Sequence, residues 1–280
     1  MNFKIDNIGR ELSDVCPSDG WHCSHFFYSF DRPRLAAMTS SQKEMGREQW
    51  RALLDPGGLD ATARMQLGLV SGHKADFSLM LMDPDPLRIE SVHQRILSGP
   101  FGVAVQPTYS YVSFSEISEY VQSVDKYAER LTRGGEDPES TAFQTKLKAY
   151  TERQDRMNYQ RLTPDFPDWP VSCFYPMNKW RYPGANWFSL AFSERNRLMA
   201  EHARSGIKFA GKVTQLITVG IGLDDWEWGV TLWATNPEHL KQIVYDMRFD
   251  QASAKYAEFG PFYTSYLCGA DHILEACGVC

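Results

Sequence analysis

The chain has 280 residues, 43% hydrophobic and 13% aromatic, with 29 Lys and Arg against 35 Asp and Glu for a formal net charge of −6. That is enough for two domains of ordinary size or one large one, and the lack of a basic surplus argues against general nucleic-acid binding. No apolar run reaches the ~18 residues of a membrane span, the first twenty residues lack the apolar core of a secretion signal, and six scattered cysteines make no disulfide framework, so a reducing cytoplasm is the expected location.

In chain order, GWHCSHFFYSF (20–30) reads as a strand and 34–54 as a helix. MQLGLVSG and ADFSLMLMD form two strands around a Gly72-His73-Lys74 turn, and Asp85-Pro86 opens a second helix with Asp85 as N-cap. PTYSYVSFSEISEYV (107–121) closes the unit as a strand, giving the order β-α-β-β-α-β. Residues 122–170 are charged and turn-rich, then helical, then proline-punctuated, and read as a connector with one or two helices.

The same order then repeats. VSCFYPMNK (171–179) is a strand, and SERNRLMAEHARSG is a helix for which Ser193 is a plausible N-cap. KVTQLITVGIG and EWGVTLWAT are strands around a Leu223–Trp226 turn. Asn236-Pro237 opens a helix whose Leu240, Ile243, Val244 and Met247 share a face, MRFDQASAKYAEFGPF (247–262) reads as an amphipathic helix with Arg248, Ser253 and Lys255, and GPFYTSYL is the last strand. The class is α+β: two tandem ferredoxin-like domains whose sheets pack face to face, a dimeric α/β-barrel arrangement. The expected divisions are an extension (1–19), an N-terminal domain (20–121), the connector (122–170), a C-terminal domain (171–267) and a cysteine-rich tail (268–280).

Two isolated polar residues stand out. His202 follows Leu198 and Met199 on the apolar stripe of its helix. Gln215 shares a strand face with Val213, Ile217 and Val219 and is the one polar residue of that face. Burying either without a partner costs about 1–3 kcal/mol. A core histidine bonded to protein and a metal-bound histidine both satisfy that requirement. No HExxH, CxxC-with-His or carboxylate–His cluster surrounds His202, which disfavours zinc; one axial imidazole is what a five-coordinate haem needs. In the tail, Cys268, His272, Cys277 and Cys280 could form a zinc site, a flexible end or a packed helix.

Four segments together — CFYPMNKWR, H-x3-G-x3-AGKVTQ, GLDDWEWGVTLWA and MRFDQASAKYAEFGPF — resemble the chlorite-dismutase-like family of haem proteins, and its coproheme-decarboxylating branch most closely. The resemblance runs from about Gly20 to Leu267. It implies His202 as the axial iron ligand, Gln215 on the opposite side where the chlorite-degrading branch has arginine, and Tyr175 as carrier of the oxidising radical. Lys179, Arg161, Ser253 and Tyr120 would hold propionates, with Met177 and Trp226 near the pocket. It further implies iron coproporphyrin III (coproheme) as substrate and redox centre, haem b as product, and hydrogen peroxide as oxidant. A homopentamer and a coproporphyrin ferrochelatase as transient donor belong to the same expectation. A chlorite dismutase and a non-catalytic haem carrier or sensor are the competing readings. Ala203 and Asn178 stand where many relatives have glycine and serine.

Overall fold

The structure is a computed structural model that describes residues 15–279. Four strands form the first half: β1 (His22–Phe30), β2 (Arg64–Val70), β3 (Phe77–Asp83) and β4 (Val105–Ser115). In the second half, β5 (Val171–Lys179), β8 (Val213–Val219), β9 (Trp228–Ala234) and two segments that both pair with β5, β10 (Ala257–Phe259) and β11 (Tyr263–Leu267), repeat the arrangement, and a short hairpin, β6 (Arg181–Tyr182) with β7 (Ala185–Asn186), follows β5. Within each half the strands lie in the ferredoxin-like order, fourth-first-third-second.

The two sheets do oppose one another, and they are also joined at both edges. β4 pairs with β8 through Phe114–Val219 and Ser115–Thr218, and β2 pairs with β11 through Val70–Ser265 to Gly68–Leu267. The result is a closed barrel, which leaves no free edge along those seams. Alternate side chains fill its interior, including His25, Phe27, Tyr111, Phe174, Tyr263, Met80, Met82, Leu216 and Trp233.

Helices cover the outside. On the first half these are α1 (Arg32–Ala37), α2 (Ser40–Leu53) and α3 (Pro86–Ser98); α4 (Val124–Arg133) and α5 (Thr141–Leu162) make up the connector. On the second half α6 (Phe192–Ile207), α7 (Pro237–Met247) and the single turn α8 (Gln251–Ala254) do so, and α9 (Ala270–Ala276) ends the described chain.

The helix expected over 34–54 is two. Thr39 accepts from the Gln42 amide while the Gln42 side chain accepts from the Thr39 amide, a capping box that starts a new helix inside the apolar pattern. Asp85 and Asn236 cap α3 and α7 as expected. Ser193 does not cap α6: the cap position is Ala191, which offers no side-chain acceptor. The helix expected across 247–262 is interrupted, because Asp250 caps the short α8 and the chain then enters β10, so Arg248 and Lys255 flank a turn. Tyr120 lies in the loop after β4 rather than on the strand.

The C-terminal segment folds back onto the first half. Ile273, Leu274 and Val279 are fully buried in the core beneath α2 and α3. Arg47 Nε donates to the Val279 carbonyl at 3.1 Å, and Arg51 Nε donates to Asp271 Oδ1 at 2.8 Å. Cys268 and Cys277 pack at this core while His272 is exposed, so the three do not converge; Cys280 lies outside the described residues. Leu274→Ala should lower unfolding free energy by about 2–5 kcal/mol in urea titration, whereas His272→Ala should change it by less than about 0.5 kcal/mol.

Candidate functional site

The two halves share a topology but differ in how their first helix meets the sheet. In the N-terminal half, Trp50 on α2 is fully buried and packs edge-on against Phe77 and Phe101, 5.1 and 5.4 Å between centroids. That closes the outer face. In the C-terminal half, α6 buries only Leu198 and rests mainly on α7 and α8. The outer face of β8 is therefore left accessible, with Gln215 exposed and Ile217 40% exposed. The expectation that Gln215 is buried is corrected: Leu216 and Thr218 point into the barrel, and the Gln215 face looks outward.

The registers place several predicted residues on this one face. Ile217 pairs with Val230, which pairs with Tyr175; Val219 pairs with Trp228, which pairs with Met177. Directly opposed residues in an antiparallel sheet project to the same side. Gln215, Ile217, Tyr175 and Met177 thus share one outer face of the C-terminal half's sheet.

Tyr175 is 5% exposed and stacks on Phe262 at 4.4 Å, with Phe259 at 5.8 Å. Burial pushes its phenol well above the ordinary range, with Arg248 acting in the opposite direction. The hydroxyl is therefore protonated at neutral pH and makes no hydrogen bond among the described residues.

His202 has a partner that the sequence did not reveal. Its Nδ1 lies 2.8 Å from Asp250 Oδ2, and a carboxylate can only accept, so Nδ1 carries a proton, and in the neutral imidazole Nε2 is the nitrogen with the lone pair. Asp250 is 1% exposed at its side chain and is fixed in turn by the Ser253 amide at 2.8 Å and the Ser253 hydroxyl at 3.2 Å. Burial alone would raise the Asp250 carboxyl; the hydrogen bond and charge of His202, with the Ser253 bonds, hold it below its ordinary value. This carboxylate–imidazole pair is the usual support of a histidine that ligates a metal.

Lys179 ends β5 and is 9% exposed. Its Nζ donates to the Ala252 carbonyl at 3.0 Å and sits 4.3 Å from the centre of the Trp187 ring. Burial pulls its ammonium down to about 8, against Asp250 and Glu227, which favour the charged form. Arg161, near the end of α5, is half-buried, its Nη1 has no partner among the described residues, and burial lowers its pKa. An orphaned buried guanidinium donor calls for an anion.

Three predicted residues have other environments. Ser253 is committed to Asp250 and lies 3.4 Å from His202 Nδ1. Tyr120 stacks on Phe192 at the start of α6, and burial raises its phenol to about 12. Trp226 packs at the barrel mouth with Tyr109, Tyr111 and Phe174, not on the Gln215 face; Trp228 occupies that face. Asp250 and Trp187 were missed. A D-x-x-S cap pattern at 250–253 was the available signal for the first.

The fold is an α+β barrel of two ferredoxin-like halves, and its C-terminal half carries a helix-borne imidazole backed by a buried carboxylate and an accessible outer sheet face at Gln215 and Ile217. The family model described as chlorite dismutase matches residues 43–268, and the chain belongs to that family. It is 34% identical over 252 residues to a coproheme decarboxylase of Staphylococcus carnosus, covering 89% of this chain and 92% of the relative. It is 35% identical over 251 residues to a coproheme decarboxylase of Oceanobacillus iheyensis, with the same coverage. A solved haem-binding protein from Thermus thermophilus superposes with a TM-score of 0.73 at 32% identity, covering 93% of this chain and 96% of that one.

Asp250→Ala should cost about 1–3 kcal/mol of stability, because the Ser253 amide and His202 Nδ1 lose their acceptor together. Urea unfolding measures it, with Asp250→Asn expected to recover part of the loss.

Proposed function

We propose that the protein removes two carboxyl groups from iron coproporphyrin III with hydrogen peroxide, converting two propionates to vinyl groups and yielding haem b, the last step of a coproporphyrin-dependent haem route. The observation that carries this reading is the Asp250-supported His202 on α6, in the half whose outer sheet face presents a neutral amide, Gln215, and a buried phenol, Tyr175. The two coproheme decarboxylases support it at 34% and 35% identity over nearly their whole length.

The residues suit such a substrate. His202 Nε2 is the free donor for iron. Ile217 and Met177 supply apolar surface, and Arg161, with its unpartnered Nη1, together with Lys179, supplies positive charge for carboxylates on a chain of net charge −6. The bound iron porphyrin supplies the metal that activates peroxide and the propionates that react. Per propionate, the carboxylate, one peroxide and one proton give a vinyl group, one carbon dioxide and two waters, a two-electron oxidation.

Tyr175 is the residue assigned to take hydrogen from the propionate. Its hydroxyl is protonated and unbonded, so losing one electron and one proton breaks no protein hydrogen bond. Lys179 places the carboxylate, a positioning effect. Gln215 offers a hydrogen bond without charge, so it does not hold an anionic chlorine oxide as arginine would, and this disfavours the chlorite-degrading reading. No helix among the described residues is long and apolar enough to cross a membrane. The cytoplasm, a homopentameric assembly and delivery of substrate by a coproporphyrin ferrochelatase remain parts of the proposal.

Tyr175→Phe should bind coproheme normally and lose the conversion by more than about a hundredfold in single-turnover mass measurement; conversion at the native rate would refute the assignment. Coproheme affinity should weaken as pH rises through about 8, where free Lys179 gives up its charge, and the Lys179→Met variant should lack that inflection. Titration by tryptophan quenching across pH 6–10 decides it.

A further inference from the structure

Trp187 is the easily oxidised side chain buried next to the His202–Asp250 pair. It is 3% exposed and belongs to one cluster with Leu198, Ala252 and Tyr256. Leu198 precedes His202 by one turn of α6, and Ala252 lies between Asp250 and Ser253, both bonded to the imidazole. Trp187 also meets Tyr256 edge-on at 5.5 Å, and Tyr256 borders a surface groove of about 530 Å³ together with Arg181, Tyr182 and Lys255. An oxidising equivalent produced beside His202 therefore has the indole of Trp187 as a destination that competes with the phenol of Tyr175 on the sheet.

Charge distinguishes them. The Lys179 ammonium sits 4.3 Å from the Trp187 ring centre, and two bonds fix it there: Nζ to the Ala252 carbonyl at 3.0 Å, and the Lys179 amide to Glu227 Oε2 at 2.7 Å. A cation is attracted to the negative face of a neutral indole; withdrawing an electron turns that attraction into repulsion in a poorly solvated place. Asp250 and Glu227 both face Lys179, and Arg181 shares Glu227 at 3.1 Å. Among the described residues no cation lies over the Tyr175 ring: its neighbours are Phe262 and Phe259, and Arg248, whose charge reaches the phenol, lies over Phe259 at 5.1 Å.

We propose that Lys179 guards Trp187, its charge on the indole making that ring harder to oxidise and so directing oxidising equivalents to Tyr175. The proposal rests on the peroxide chemistry proposed above. In the guarded course Tyr175 relays electrons from the propionate and ends as the intact phenol. In the leak, Trp187 loses one electron with its Nε1 proton, then a second electron and proton as water adds to the indole, so that one indole and one peroxide give hydroxytryptophan and one water.

Two measurements test this on Lys179→Gln, Lys179→Met and the charge-keeping Lys179→Arg, with Trp187→Phe to assign the product. In the porphyrin-free protein, photogenerated sulfate radical is the one-electron oxidant, and peptide mass spectrometry reads the ratio of oxidised Trp187 to oxidised Tyr175. The ratio should rise about tenfold in whichever neutral variant folds and stay at the wild-type value in Lys179→Arg. In the coproheme-loaded protein, freeze-quenched with peroxide, the radical signal should shift from tyrosyl to tryptophanyl only in the neutral variants. An unchanged ratio in the neutral variants, or an equal rise in Lys179→Arg, overturns the guard. A wild-type loaded protein that never oxidises Tyr175 overturns the functional reading instead, and the porphyrin-free ratio still decides the guard.

Discussion

The hydrogen bond between His202 Nδ1 and Asp250 Oδ2 is the constraint on which the site depends. It joins α6 to α8, and through the Asp250 cap it fixes the single helical turn whose Ala252 carbonyl receives Lys179. It also decides the tautomer, leaving Nε2 as a lone-pair donor whose basicity the carboxylate increases. Position, tautomer and ligand strength thus follow from one contact, buried at the carboxylate end and open at the imidazole end.

The chain builds one topology twice and uses it differently each time. Both halves put a helix between their first and second strands, and both alternate apolar residues into a shared barrel. In the first half Trp50 seals that helix to the sheet, and the C-terminal segment adds Ile273, Leu274 and Val279 to the same core. In the second half no aromatic side chain of α6 is buried, and the helix that carries the histidine rests on α7 and α8. The accessible outer face of the second half comes from side-chain size at the helix–sheet contact and requires no change of backbone plan.

Much of this was legible in residue order. Strand alternation around 22–30, 64–83 and 213–234, and the Asp85-Pro86 and Asn236-Pro237 starts, are local signals that act locally. The break at Thr39 was legible too, as a T-x-x-Q capping box, but apolar periodicity continuing past it concealed the new start. Barrel closure was not legible, since two short edge pairings between residues about 100 and 200 positions apart leave no periodic trace. Alternation assigns Gln215 to its strand face but not its exposure, because a strand pattern says which residues share a side and nothing about whether a helix lies on it. Trp226 was named from its motif, yet the turn carries it to the barrel mouth while Trp228, two residues on, takes the outward register. Asp250 escaped notice because its partner is 48 residues away, and that pairing exists only once α6 and α8 cross.

Resonance Raman spectroscopy of the iron–imidazole stretch in the ferrous porphyrin complex tests the central contact most directly. The account predicts a high stretching frequency in the wild type, a clear downshift in Asp250→Asn, where the acceptor is neutral, and loss of the mode in His202→Gly with recovery on adding imidazole. A frequency unchanged by Asp250→Asn, or a mode that survives removal of His202, would contradict it.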